Sequence, residues 1–528
     1  MGATELGWLL QGGTVLDGRG GREASDVLVA GERIEAVLPR GAGMAAPAVP
    51  PTRRLDCAGL LIAPGFIDAH THDDTAAADP ARYEAKIRQG VTASVVGQDG
   101  FGWGPLPGPC RAGVVRYWRP VNGLPMLPDG SDLAHPRLAG YLRALDGRAG
   151  LHVAALAGHA NLRVAAAGWA LRPLRPEERD RMVGGLEEAL DDGACGLSTG
   201  LTYVPACASD LEELLPLCAV LARRDRPYVS HIRGYGAGIF DAVDEALELA
   251  RRTGCAVHLS HLHLSARAVW GQAERLLERL DRAIRQGLRV TWDLYPYQAG
   301  SSVLYQYLPA GLQDGGPEAF LRWLAGPGAA GALAADAGFA RTDWSAFVVS
   351  HTSSGRHVGR TVAEVAGELR LAPAEAVVRL LVEEELDVGC VVHQTDEADD
   401  RLFLLHPSCV VGSDGIFASG RPHPRARGAF ARFWRLFAAG PAPAIAPAEA
   451  ARRMAGAAAG IHRLDGCGAV RAGAWADLAV FDGHTFADEA TYAEPERPAA
   501  GMRHVLVRGR PVLLHGRFDA GVRAGRPL

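Results

Sequence analysis

The sequence predicts an α/β protein: a (β/α)8 TIM-like barrel carrying a small β-sandwich built from its two ends. Three observations predict it. The middle of the chain alternates apolar strand-like runs with helix-like segments. Both ends show short alternating apolar stretches broken by Gly, Asp and Pro. Histidines and aspartates recur where the strand-like runs stop, which is where barrels of this class build their sites.

The opening stretches "WLLQGGTVLDG", "SDVLVAGERIEAVLP" and "RRLDCAGLLIAPG" read as small antiparallel strands. The same pattern returns in "GAVRAGAWADLAVFDG" and "HVLVRGRPVLLHGRF". We therefore expect residues 1–62 and 463–528 to form one sandwich, with the barrel over 63–462. The runs "AGLHVAALAG", "DGACGLSTG", "DRPYVSH", "GCAVHLSH", "LRVTWDLYPY" and "SCVVGSDG" read as barrel strands. Segments such as "PEERDRMVGGLEEALDD" and "GIFDAVDEALELARRT" carry apolar residues at helical spacing between them. Repeated β-then-α favours a closed parallel barrel over an open sheet. Residues 101–130, rich in Gly, Pro and Trp, and residues 301–350 interrupt the alternation and read as insertions over the site.

Composition narrows the function. With 528 residues, 48% hydrophobic and 22% charged, the chain has ample material for a core and an accessory domain. A net charge of −5 offers neither a basic field for nucleic acid nor a polybasic membrane patch. No apolar run is long enough to span a bilayer, and the first residues lack the charged and apolar regions of a signal peptide. Nine scattered cysteines without a CxxC pair fit reduced thiols, so a cytoplasmic location is expected. Neither GxGxxG nor a Walker sequence appears where a nucleotide site would need it.

The chemistry collects in "GFIDAHTHDD". On a strand, residues i and i+2 face the same side, so His70 and His72 can reach one point in space. Downstream, Asp99 ends "TASVVGQDG", His231 ends "PYVSH", His261 follows "CAVHLS" and Asp414 ends "SCVVGSD". Each alone is an ordinary turn or hydrogen-bonding residue. Turn chemistry does not require all of them at the same end of their strands. Nitrogen and oxygen donors without thiolates favour Zn2+, with Mn2+, Fe2+ or Co2+ as alternatives.

At this point the chain resembles the amidohydrolase superfamily and, within it, the N-acyl-D-amino-acid deacylases. The likeness runs nearly end to end through "GLLIAPGFIDAHTHDD", "GVTASVVGQDG", "GHANLR", "GACGLSTGLTYVP", "SHIRGYG", "DLYPYQAGSSVL", "GSDG", "HPRARGAF" and "GAWADLAVFD". It implies that His70, His72 and Asp414 hold one metal ion and that His231 and His261 hold a second. Asp99 stands where the family usually has the cysteine of "GNCG", and a carboxylate can bridge two ions as a thiolate does. The deacylases often read "SHHK" where this chain has "SHLHLS", so His263 replaces a lysine that meets substrate. The carboxylated lysine of the cyclic-amide hydrolases has no counterpart. The one lysine, Lys86, falls in a helical stretch before the second barrel strand.

The resemblance implies hydrolysis of a small N-acyl amino acid, of D configuration, by metal-activated water, with Asp414 as general base and then general acid. Arg233, two residues beyond His231, is the expected clamp for the substrate carboxylate. Tyr295, Ser301 and His263 complete the expected substrate contacts. His159 and Arg163 are expected to support the site from behind, and His393 is a weaker candidate. The competing readings are a hydrolase of cyclic amides and a catalytically silent relative with a binding role.

Overall fold

The computed structural model describes residues 7–42, 52–417 and 420–528. Residues 1–6, read above for a leader, and 43–51, within the first expected segment, lie outside them.

The apolar runs of the middle segment pair into a parallel ring. Phe66–Asp68, Val91–Val96 and His152–Ala155 form one three-stranded sheet. Ala157–Gly158, Leu197–Gly200, Tyr228–His231, Val257–Leu259, Val290–Leu294 and Cys409–Val411 form a six-stranded one. The two sheets are continuous through Leu156, whose amide donates to the Val96 carbonyl at 3.0 Å. The ring closes where the Ala69 amide reaches the Val411 carbonyl at 3.4 Å and Thr71 bridges Gly415. Since His152–Gly158 is one strand interrupted at Leu156, eight strand positions circle the axis.

Alternation along these strands divides the apolar residues into two layers. Ile67, Ala69, Val95, Leu156, Val229 and Val410 fill the interior, with Leu464 and the helix Ala457–His462 packed against them. Phe66, Val91, Val96 and Val257 point outward into the larger core beneath the helices. Those helices have readable ends. Asp79 caps Pro80–Ile87 from a position followed by Pro, and Asp210 accepts the Glu213 amide at the start of Leu211–Arg223. Gly254, at φ 75°, stops Ile239–Thr253 in a left-handed conformation.

The two ends of the chain share a nine-stranded sheet. Gly7–Leu16 pairs with Arg22–Ala30, and Leu61–Pro64 lies antiparallel to Leu478–Phe481, with Ile62 opposite Val480. Trp8, Leu10, Val27, Ile62, Leu478 and Leu506 give this sheet a core of its own.

The insertions take definite shapes. Within 101–130 lies the helix Gly108–Asn122, whose last residue reaches the barrel mouth. Between the seventh and eighth barrel strands, Ala299–Val303, Val388–His393 and Phe347–Thr352 make an antiparallel sheet with Val388–His393 in the middle. This insertion therefore continues well past residue 350. The run containing His393 belongs to it, because its hydrogen-bond partners are the insertion's own strands.

Candidate metal centre

His70, His72, Asp99, His231, His261 and Asp414 come from five strands of the ring and meet at its C-terminal mouth, all buried. His70 Nε2 lies 3.7 Å from both Asp99 Oδ1 and Asp414 Oδ1. His72 Nε2 lies 3.7 Å from Asp99 Oδ2 and 3.3 Å from Asp414 Oδ1. On the other side, His231 Nδ1 is 3.6 Å from Asp99 Oδ2 and 3.2 Å from His261 Nε2. Three compact donor sets result: His70–His261–Asp414, His70–His72–Asp99 and Asp99–His231–His261. Asp99 belongs to two of them, one on each side.

The fold holds these donors at a cost. Asp99, His261 and Asp414 have φ of 57°, 34° and 47°, in the left-handed region that non-glycine residues avoid. Strain of this kind persists where surrounding structure enforces it, and it concentrates at functional sites. Here the enforcement is visible. The Asp414 amide donates to the His70 carbonyl at 2.7 Å, and the His261 amide donates to Asp293 Oδ1 at 3.0 Å.

A second layer aims the rings. Asp293 Oδ2 sits 3.4 Å from His70 Nδ1 and 3.0 Å from His258 Nε2. Burial opposes ionisation of Asp293, but His70 and His258 hold it well below the usual carboxylate range. Gly412 makes room for this pairing, since a Cβ there would meet Asp293 Oδ1 at 2.7 Å and His70 Cβ at 2.8 Å. His72 Nδ1 faces Asn122 Oδ1 at 3.2 Å, and Thr202 Oγ1 lies 2.8 Å from His231 Nε2. In the rings of His70, His72 and His231 one nitrogen is faced from behind and the other points inward, as metal-ligating histidines require.

The arrangement fits divalent ions. Donors about 3 to 4 Å apart span an ion bonded at about 2.0–2.2 Å to each. His70 Nε2 and Asp99 Oδ1 are buried without a hydrogen-bond partner among the described residues, so they are free to ligate. Burial works against a charged His70, yet Asp293, Asp414 and Asp99 push its imidazole up to about 9. The centre thus carries an excess of negative charge that a cation would neutralise. Asp99 is held well below the ordinary range against burial, chiefly by His231. Asp414 is lowered likewise, chiefly by Arg425.

Above the centre opens a cavity of about 180 Å3 lined in part by His263, Tyr295 and Ser301. His263 stacks on Tyr235 at 5.0 Å, and burial next to His261 brings its imidazole down to about 3. Arg233 takes another place. Its guanidinium binds both oxygens of Glu245 at 2.9 Å and the carbonyls of Cys207 and Ser209 at 2.9 and 2.7 Å. It forms an ion pair with Glu245 and is absent from the cavity lining, away from the place expected of it from the sequence. The strand ends at His231, so strand alternation no longer governs where residue 233 points.

The residue at the site is instead Arg425, in the helix Arg425–Phe437. It is wholly buried, with Nη1 2.8 Å from Asp414 Oδ2, Nη2 donating to the Ser301 carbonyl at 3.3 Å, and its guanidinium over the Tyr295 ring at 4.4 Å. His159 and Arg163 share Glu213 in a buried cluster away from the cavity lining. His393 is exposed at its strand end, beside Tyr492. Lys86 also stays out of the cavity lining. Its ammonium is buried on Asp68, Thr71 and Ser413.

A parallel barrel with imidazole and carboxylate donors gathered at its C-terminal mouth is the architecture of a hydrolytic metal enzyme. The model of the amidohydrolase family matches residues 53–406 and 404–513. An N-acyl-D-glutamate deacylase of Alcaligenes xylosoxydans xylosoxydans is 36% identical over 510 residues, covering 96% of this chain and 93% of the relative. A D-aminoacylase of the same organism is 33% identical over 527 residues, covering 98% and 97%. The crystal structure of an N-acyl-D-glutamate deacylase from Bordetella bronchiseptica, in complex with zinc and a phosphonate mimic of the tetrahedral intermediate, superimposes with a TM-score of 0.81. It is 32% identical, with 99% of each chain covered. The chain belongs to the amidohydrolase family, among the relatives of the N-acyl-D-amino-acid deacylases.

Proposed function

We propose that this protein is a zinc-dependent deacylase that hydrolyses the linear amide of N-acyl-D-amino acids, releasing a carboxylate and the free D-amino acid. The observation that carries this reading is the meeting of His70, His72, Asp99, His231, His261 and Asp414 at the barrel mouth, beneath a cavity that all but His70 line, with Arg425 paired to Asp414. Zinc bound by these donors would supply the Lewis acidity that activates water and polarises an amide carbonyl. Asp99, a member of donor sets on both sides, would be the residue shared between two ions if both sets were filled.

The chain's own residues supply the proton chemistry and the grip on substrate. Asp414 Oδ1 faces both His70 and His72, where it can take a proton from water and return it to the departing nitrogen. Arg425, fixed by Asp414 and Tyr295, presents a guanidinium for the substrate's α-carboxylate. Tyr295 and Ser301 line the cavity beside it. Of the first two relatives named above, one is named for D-glutamate and the other for D-amino acids without a stated side chain, so their names agree on the class of amide.

Lys86 argues against the cyclic-amide alternative, since the lone amine of the side chains is held by Asp68 and Ser413 and cannot bridge ions in the cavity. No helix among the described residues is long and apolar enough to cross a membrane. Its unpaired thiols suit a reducing compartment, and we propose the cytoplasm. The test is to purify the enzyme, measure zinc by elemental analysis, and assay N-acetyl-D- against N-acetyl-L-amino acids. D-selective turnover that stops on chelation and returns with zinc supports the reading. Turnover of hydantoins or dihydropyrimidines in place of linear amides would overturn it.

A further inference from the structure

The charges around the cavity bear on which amino acid it accepts, an inference that rests on the deacylase reading above. No lysine or arginine is among the described residues lining the cavity. The wall away from the donors is neutral: Thr202, Ser302, Gln306, Tyr307 and Gln394 offer hydroxyls and amides, and Ile416 an apolar patch. Gln306 is itself anchored, donating to Thr202 Oγ1 at 3.1 Å and accepting from Ser302 Oγ.

Arginines on the elements around the barrel's C-terminal end are already committed. Arg233 is held by Glu245, Arg163 by Glu213, and Arg119 lies 3.3 Å from Asp387. Arg421 donates to the Tyr492 carbonyl at 3.0 Å. That leaves Arg425, whose contacts with Asp414 and Tyr295 place it for one carboxylate, the α-carboxylate shared by every amino-acid product.

We propose that the enzyme selects N-acyl-D-amino acids with neutral side chains and rejects those with acidic ones. A second carboxylate would lie against a neutral wall, stripped of water, in a site that already holds the carboxylates of Asp99 and Asp414. Burying an unpaired charge is far costlier than burying a hydrogen-bonded amide. The neutral wall instead matches an amide, hydroxyl or apolar side chain, whose polar atoms Gln306, Gln394 and Ser302 can satisfy. A pocket that leaves a ligand's charge unpaired can discriminate by factors of about 100 or more.

The experiment compares isosteric pairs on the zinc-loaded enzyme: N-acetyl-D-glutamine with N-acetyl-D-glutamate, and N-acetyl-D-asparagine with N-acetyl-D-aspartate. In each pair shape is kept and only charge changes. We expect kcat/KM to favour the amide by about 100-fold. We expect Gln306→Arg to narrow that ratio at least tenfold by raising the rate on the acid. Equal or faster turnover of the acids by the wild type would overturn the proposal and leave the deacylase reading intact. Absence of turnover on every N-acetyl-D-amino acid would overturn both.

Discussion

His70 Nδ1 and Asp293 Oδ2 stand 3.4 Å apart beneath the centre, while the other oxygen of Asp293 accepts the His261 amide at 3.0 Å. One carboxylate thus sets the position of a histidine on each side of the site. Asp293→Asn would keep the shape and weaken both ties. We expect a fold of unchanged circular dichroism that holds metal 10- to 100-fold less tightly, the usual effect of losing such an orienting partner. Zinc titration of the apoprotein checks this, and wild-type affinity in the variant would show that Asp293 does not orient His70.

Arg233 makes a contrasting prediction. Its guanidinium ties Glu245 to the carbonyls of Cys207 and Ser209, with no place in the cavity lining. Arg233→Ala should lower stability by about 1–3 kcal/mol through those lost hydrogen bonds. The KM for an N-acyl-D-amino acid should stay within about twofold, in keeping with a change of under about 0.5 kcal/mol in binding. Denaturant melts and steady-state kinetics on the same preparation separate the two roles. Arg425→Met, by comparison, should raise KM by at least tenfold.

Lys86 is buried on Asp68, Thr71 and Ser413, with Asp73 at 3.4 Å. Lys86→Met leaves the Asp68 carboxylate inside the protein without its cation. Breaking a buried pair from one side costs about 3–5 kcal/mol. We expect a large drop in melting temperature, and native Lys86 should resist amine acylation until the protein unfolds. Peptide mapping after labelling, with and without denaturant, measures that directly.

Asp400 gives a pH signature. Burial pushes its carboxyl from 3.8 up to about 7; Thr395 Oγ1 partly offsets this by donating to Oδ2 at 2.6 Å, while Oδ1 lacks a partner among the described residues. A carboxyl raised on folding favours the folded state only while protonated. Its penalty therefore grows as pH rises above 3.8 and levels off past about 7. Each pH unit in that window costs roughly 1.4 kcal/mol. Asp400→Asn should match the wild type near the acid end of the window and melt at higher temperature above its neutral end. Melting curves across the range test it, and a constant gap would exclude the mechanism.

The six donors were legible because they share one property readable in one dimension: each closes an apolar run. Asp293 has the same signature in "TWDLYPY", and applying the rule to that strand would have found it. Arg425 and Asn122 were not legible, since they sit on helices rather than at the ends of barrel strands, and helices carry no strand-end signature. Arg233 was misplaced for a related reason: two-residue alternation was carried past the end of a strand, where the Ile232 amide already donates to the Tyr235 hydroxyl in a turn. The extent of the later insertion was hidden because its strands alternate much as barrel strands do, and only their partners distinguish them.

The sheet shared by the two termini constrains how this molecule is made. Leu61–Pro64 leaves the ribosome early, but its neighbour Leu478–Phe481 appears only after the whole barrel has been synthesised. Until then the early strands present an open edge that invites pairing with other nascent chains. Closing contacts so distant in sequence is slow. Completion of that seam therefore marks the point at which the newborn chain becomes safe from its neighbours, and truncation before residue 478 should yield aggregates even where every ligand of the centre is present.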